Sequence, residues 1–253
     1  MKYSLSFLSG LRNSIAFLTI LPVGMDRDGL RKAASYMPVF PLIGAAIGLL
    51  VGLVVWSLEF ILPKLTAGMI GLGLLLLING VQHLDGLLDF GDGGMFHGTR
   101  SGKLRVMRDP TTGAGGLALG LVVLSTTAFS IATLPFRFIV VGVVAAEAAA
   151  NFSMVFLTGI SKPAHRGMGA VFVEAMHERR GLRLSVSFII LLAISLLTLR
   201  TLGLIVVIGA ILTATVMTVI SSRHFGGVTG DVMGATNELS RVVSLLLIVV
   251  FLK

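Results

Sequence analysis

The chain has 253 residues, 55% of them hydrophobic and only 13% charged, with a mean hydropathy of +0.97. Soluble globular domains carry about 25% charged residues, so a water-soluble enzyme is excluded and an integral membrane protein is expected. The net charge of +8 fits cytoplasmic loops rich in Lys and Arg, no basic stretch interleaved with aromatics suggests nucleic acid, and the absence of cysteine rules out disulfides, thiolate metal sites and Cys nucleophiles.

Along the chain, residues 5–21 place apolar side chains at helical steps around Arg12 and Asn13. That pattern predicts an amphipathic helix lying in the membrane interface and ended near Pro22. Lys2 and Arg12 in this stretch, with no small-residue cleavage site, argue against a cleavable leader. Apolar runs, measured against the ~20 residues that cross a bilayer as helix, predict seven spans. They are expected at 39–62, 65–82, 114–134, 136–158, 184–199, 202–221 and, shortest, 242–252. Gly44, Gly48 and Gly52 recur at four-residue intervals in the first, a face suited to close helix packing. No internal repeat is visible. The expected fold class is all-α, a polytopic membrane helix bundle of about seven transmembrane helices plus the interfacial helix, in one domain covering residues 1–253.

Charge asymmetry orients this bundle. With the N-terminus in the cytoplasm, sixteen of the twenty Lys and Arg lie inside, Arg241 among them, and only Lys64, Arg137, Arg200 and Lys253 lie outside. The same orientation brings the three long polar segments, 83–113, 159–183 and 222–241, to one face. Chemistry is therefore expected on the cytoplasmic side.

The first polar segment opens with His83-Leu-Asp-Gly-Leu-Leu-Asp-Phe-Gly-Asp92. On a helix, offsets of four and seven put Asp85, Asp89 and Asp92 within about 60° of one another. Three unpaired carboxylates on one face repel, and a divalent cation held by oxygen ligands relieves them; a solvated acidic loop is the plainer alternative. Next come Arg100, Lys103, Arg105 and Arg108, then Asp109-Pro-Thr-Thr-Gly113-Ala-Gly-Gly116. Carboxylates, cations and a Gly-rich turn at a helix start are what a bound diphosphate requires, although each basic residue alone is explained by the loop bias. The third segment, Gly226-Gly227-Val-Thr229-Gly230-Asp231-Val-Met-Gly-Ala235, offers Asp231 as a fourth metal ligand. Thr229 or Asp231 is also a candidate N-cap of the last helix. Asn237, Glu238 and Arg241 follow on the next turns. Glu147 lies inside an apolar span, where an acid is functional or paired, with Arg137 or a group near Asn151 as candidate partner. His83, His165 and His224 each precede a motif, and a single His is more often a hydrogen-bonding residue than a ligand.

Taken together, His83-Leu-Asp-Gly-Leu-x-Asp-x-x-Asp-Gly93, Met107-Arg-Asp109 with its trailing glycines, and Gly226-Gly-x-Thr-Gly-Asp-x-x-Gly-Ala235 resemble the cobalamin synthase family. Phe17-Leu-Thr-x-Leu-Pro22, Phe40-Pro-Leu-Ile-Gly44 and Gly167-Met-Gly169 with Val171-Phe172 fit it too, so the resemblance runs in order over nearly the whole chain. The chain departs from the family where Pro110, Thr111 and Thr112 follow Asp109, and in having Glu147 where members commonly carry an Arg. The resemblance implies an adenosylcobinamide-GDP ribazoletransferase of late vitamin B12 assembly in a prokaryotic cell (inner) membrane. In that reaction a ribose hydroxyl of α-ribazole, or its 5′-phosphate, attacks the cobinamide-side phosphorus of adenosylcobinamide-GDP and GMP leaves. Mg²⁺ is the implied cofactor. Membrane lipids, further copies of the chain and other cobalamin-assembly enzymes are partners to be considered.

The residues and the resemblance together give an expected site. Asp85, Asp89, Asp92 and Asp231 are the metal ligands, and Asp92 and Asp89 the catalytic pair, with Asp92 the proton acceptor. His83, Lys103, Arg105, Arg108, Asp109, Gly113, Gly227, Thr229 and Gly230 are the substrate and diphosphate contacts. Rival readings are a CDP-alcohol phosphotransferase, whose Ala-Arg pair after the first Asp-Gly is missing after Asp85-Gly86, a polyprenyltransferase with denser acids, and a cation transporter with acids inside its spans.

Overall fold

Glycine spacing decides which helices form the centre of this molecule. The computed structural model describes residues 2–252, and among them the chain forms twelve α-helices and no strand beyond one isolated bridge. α1 (Lys2–Leu18) and α2 (Gly29–Ser35) lead to α3 (Phe40–Leu58), α4 (Lys64–Ile78), α5 (Gln82–Met95) and α6 (Arg100–Val106). α7 (Ala114–Thr133), α8 (Ile139–Ile160), α9 (Met168–Glu178), α10 (Arg180–Leu199), α11 (Leu202–His224) and α12 (Gly230–Phe251) follow. α8 is the hub, packed by α3, α10, α11 and α12, and its alanines from Ala145 to Ala150 are buried. The Gly44–Gly48–Gly52 stripe lets α3 lie directly on α8. A Cβ on Gly48 would stand 2.7 Å from the Val143 carbonyl oxygen, and one on Gly52 2.9 Å from the Val140 Cα.

Six helices, α3, α7, α8, α10, α11 and α12, are long and apolar enough to cross a membrane, and the α4–α5 pair makes a seventh if counted as one span. The chain is thus an all-α, multi-pass membrane protein, as its composition implies. The expected span at 65–82 ends earlier, because α4 stops at Ile78 and α5 leaves it at 94°. Gly80 and Val81 make the corner, both at φ 63°, a conformation a β-branched residue rarely adopts. The end of α1 straps this corner: Ile20 N–H donates to the Ile78 carbonyl at 2.8 Å and Gln82 Nε2 to the Phe17 carbonyl at 2.6 Å.

The polar segments are more helical than their composition suggests, holding α2, α6 and α9. The greatest difference is at the C-terminus. The expected loop 222–241 and short span 242–252 are largely one helix, α12, which begins at Gly230. Its polar residues look like loop in sequence but neutralise one another inside the bundle. Arg241, fully buried, pairs with Glu147 of α8 and with Glu238, and donates to Asn237 Oδ1 at 3.0 Å. Arg241 therefore does not belong to a cytoplasmic loop, and it, not Arg137, is the partner of Glu147. Arg137 lies over the Phe138 ring instead. Two other members of the charge count, Lys2 and Lys253, have side chains outside the described set.

At the other end of the chain, Asp26 ties α1 to the segment before α2. It accepts from Lys32 Nζ at 2.8 Å and from Asn13 and Ser9 at 2.9 Å, and pairs with Arg12. The Lys32 ammonium first, then the two neutral donors, holds this carboxyl well below the usual carboxylate range. A depressed acid stabilises the fold above its unfolded value, ~3.9, and loses that contribution only as pH falls further, so the latch is intact at neutral pH. Of the buried charges, Arg241→Met strands two carboxylates and is expected to cost about 3–5 kcal/mol. Glu147→Gln keeps the Arg241–Glu238 pair and should cost less. Unfolding titrations with SDS in mixed micelles measure both.

Candidate active site

Two glycines bring the acidic helix against the last helix. A Cβ on Gly86 of α5 would stand 2.8 Å from the Asp231 carbonyl oxygen, and one on Gly234 of α12 3.1 Å from the His83 Cα. This close crossing sets Asp85 beside the start of α12. A cavity of about 270 Å³ opens there, with Asp85, Arg108, His165, Thr229, Gly230 and Asp231 in its wall. The link between α8 and α9 is carried in by a short bridge, in which Val228 N–H donates to the Lys162 carbonyl at 2.9 Å and Ala164 N–H to the Val228 carbonyl at 3.0 Å. All three polar segments therefore reach this one place.

The electrostatics are one-sided. Asp89 stands one turn along α5 from Asp85, and the charges of Asp85, Asp231 and Asp92 all act on it. Among the described residues none of the four aspartates forms a salt bridge. Arg108 and His165 stand in the same wall as Asp231. No three acid or histidine side chains among the described residues converge into a complete metal cage. Mg²⁺, however, is ordinarily held by one or two carboxylates with substrate phosphates completing the shell. Unpaired hard-oxygen donors on two crossing helices fit that ion in kind.

Several expected contacts have other duties. Asp92 Oδ2 accepts the Gly113 N–H at 2.6 Å and Oδ1 the Gly116 N–H at 2.7 Å. This aspartate caps α7, whose N-cap residue is a glycine without a side chain to do so. The Gly113 amide, expected to meet a diphosphate, is thus taken by Asp92. Lys103 Nζ donates to the carbonyls of Gly93, Gly94 and Phe96, at 3.3, 3.2 and 2.7 Å, and so satisfies the C-terminus of α5 rather than reaching into the cavity. Asp109 is exposed and accepts the Thr111 N–H at 2.9 Å, closing its own turn. Arg105 is exposed on α6 and stands outside the cavity wall. Gly227 gives its N–H to the Ser221 carbonyl and lies against the Lys162–Ala164 backbone, where a side chain would not fit. Thr229 is the N-cap of α12, accepting the Val232 N–H at 3.2 Å and donating to Asp231 Oδ2 at 3.1 Å. The intrahelical ladder begins with Met233, which leaves the amides of Gly230 and Asp231 without an intrahelical partner.

Asp85, Arg108, Asp231, Thr229, Gly230 and His83 are therefore brought together, with Asp89 behind them. His165, Phe17, Gln82, Met154, Met168 and Met233 also line the wall without having been expected there. His165 precedes the Gly167-Met-Gly169 motif, which was the available signal. Phe17 opens the Phe17–Pro22 motif, which does not point to this cavity, and Gln82 had no signal, because their meeting depends on the corner at Val81.

Comparison with known proteins places the chain in a family. The family model described as cobalamin-5-phosphate synthase matches residues 10–249. Curated relatives named adenosylcobinamide-GDP ribazoletransferase include those of Methanococcoides burtonii, 32% identical over 96% of this chain and 93% of the relative, and Methanocella arvoryzae, 33% identical over 95% of each. That of Halorubrum lacusprofundi is 35% identical over 94% of this chain and 95% of its own length. No solved structure matches the chain significantly.

The capping role of Asp92 has a direct consequence. Asp92→Asn replaces one acceptor oxygen with a donor facing an N–H, and is expected to cost about 1 kcal/mol. Amide exchange should rise at residues 113–117, as read by hydrogen–deuterium exchange. Asp89→Asn should leave that segment protected.

Proposed function

The chain belongs to the cobalamin-5-phosphate synthase family, and we propose that it joins adenosylcobinamide-GDP to α-ribazole, or to its 5′-phosphate, with release of GMP. The observation that carries this reading is the single cavity holding Asp85, Asp231 and Arg108, contributed by α5, α12 and the segment after α6. Such a set matches a diphosphate flanked by metal and cation. Asp85 and Asp231 would hold Mg²⁺, which supplies neutralisation of the diphosphate charge. Arg108 and the free amides at the start of α12 offer donors to the phosphate oxygens.

In the reaction the ribose hydroxyl oxygen forms a bond to the cobinamide-side phosphorus, the bond from that phosphorus to the bridging oxygen breaks, and GMP departs with that oxygen. Arg108 stabilises the charge on the departing GMP. The hydroxyl proton passes to a carboxylate. Asp89 is the better acceptor of the pair first considered, because both oxygens of Asp92 already accept amide N–H groups. The excess of basic residues in the three polar segments supports a site facing the cytoplasm.

The test is one incubation of purified protein with Mg²⁺, adenosylcobinamide-GDP and α-ribazole, following GMP. Release is expected with this pair and not with CDP-diacylglycerol, and no cation uptake should accompany it in vesicles. EDTA should stop it and added Mg²⁺ restore it. Asp89→Asn should abolish turnover while the folded protein remains in the membrane; normal turnover in that variant would sink the assignment.

A further inference from the structure

The cavity at the α5–α12 crossing has a mixed wall. Beside its charged groups it is lined by Phe17, Met154, Met168 and Met233, with Met168 lying against Gly230. Its volume of about 270 Å³ falls below the ~300 Å³ at which pockets for drug-sized ligands begin. A bicyclic base with part of its ribose can enter such a space; a corrin ring with its peripheral amides cannot. Two further polar side chains, Gln82 and His83, stand in the same wall. Gln82 Nε2 is committed to the Phe17 carbonyl. His83 is only 6% exposed, lines the cavity, and its Nδ1 is sealed from solvent without a hydrogen-bond partner.

We propose that this pocket seats the base of α-ribazole, with His83 reading the base's free ring nitrogen and the corrinoid held outside. The inference rests on the transferase reading above and says which substrate occupies the cavity. A benzimidazole riboside presents an apolar bicycle, no donor on its base, and one ring nitrogen with a free lone pair. A neutral imidazole carries one N–H donor and one acceptor. With Nδ1 enclosed, Nε2 is the atom that His83 turns to a ligand, and as N–H it satisfies that lone pair. Guanine and the adenine of the adenosyl group, the other bases in the reaction, carry donors and acceptors along their edges that thioethers and a phenyl ring would leave unpaired. Methionine side chains are polarizable and adaptable, make favourable contacts with aromatic rings and suit varied partners. The pocket is therefore permissive toward substituents on the benzo ring and strict toward the ring nitrogen. With the base against the methionines, the ribose lies toward Asp85 and Asp231, and the diphosphate approaches from the exposed mouth, where Arg108 stands.

Steady-state kinetics of the full chain in lipid nanodiscs test this with three α-ribosides: those of 5,6-dimethylbenzimidazole, of benzimidazole, and of an indole in which the free ring nitrogen is CH. For the unaltered protein the two benzimidazoles should agree within about tenfold in kcat/KM, whereas the indole should be about 10–100-fold poorer, the range of one lost hydrogen bond that leaves a buried group unpaired. His83→Phe should bring the indole and benzimidazole ribosides close to parity, with KM for adenosylcobinamide-GDP little changed. Met168→Trp, at a half-exposed position on the rim, should raise KM for α-ribazole more than that for adenosylcobinamide-GDP and does not depend on the tolerance of a buried site. Equal use of indole and benzimidazole by the unaltered protein, or a rise in KM for adenosylcobinamide-GDP instead of α-ribazole in either variant, overturns the proposal. Absence of GMP release with every riboside overturns the transferase reading, and the inference falls with it.

Discussion

Arg241, buried between Glu147 and Glu238, fixes how the last helix stands in the bundle. An uncompensated charge in a membrane interior is costly, so the guanidinium and its two carboxylates hold α12 against α8 at one depth and one rotation. Arg241 stands about 15 Å along the helix from Asp231, at the usual rise per residue. Setting one sets the other. The glycine stripe of α3 closes the opposite side of α8, which leaves α8 with helices on both faces and no freedom to shift. The charged core is thus the fixed point from which the start of α12 is delivered to α5.

The second dependence is at α5 itself, a fourteen-residue helix with much of its hydrogen bonding done by neighbours. Its C-terminal carbonyls are met by Lys103, its approach to α12 is permitted by Gly86, and its Asp92 holds the first amides of α7. The corner at Val81 turns the helix out of line with α4, and the end of α1 holds that corner closed. Conserving this turned geometry explains why an acidic stretch that follows an apolar run is aimed across the bundle instead of into solvent. Residues that look like phosphate ligands, Lys103 and Gly113, are part of the frame that aims it.

Much of this was legible in the sequence. Spans announce themselves through long apolar runs, and the four- and seven-residue offsets of Asp85, Asp89 and Asp92 describe the helical face that α5 presents. Gly44, Gly48 and Gly52 likewise describe a contact that the fold realises. What stayed hidden is where charge is internal. Glu238 and Arg241 read as a polar loop because hydropathy scores each residue alone, and only the approach of α8 shows that they are neutralised by Glu147. The same blindness applies to Asp92, whose partners are two backbone amides with no sequence signature. His165 and Gln82 join the cavity through a bridge and a corner, both set by backbone geometry rather than by residue type.

In the proposed function, carboxylates from α5 and α12, far apart in sequence, would make one divalent-cation site completed by the diphosphate. Mn²⁺ titration followed by electron paramagnetic resonance, with and without adenosylcobinamide-GDP, tests it most directly. Tight Mn²⁺ binding should require the nucleotide substrate and should be lost in both Asp85→Asn and Asp231→Asn. Retention of substrate-dependent Mn²⁺ binding in the Asp231 variant would contradict the account.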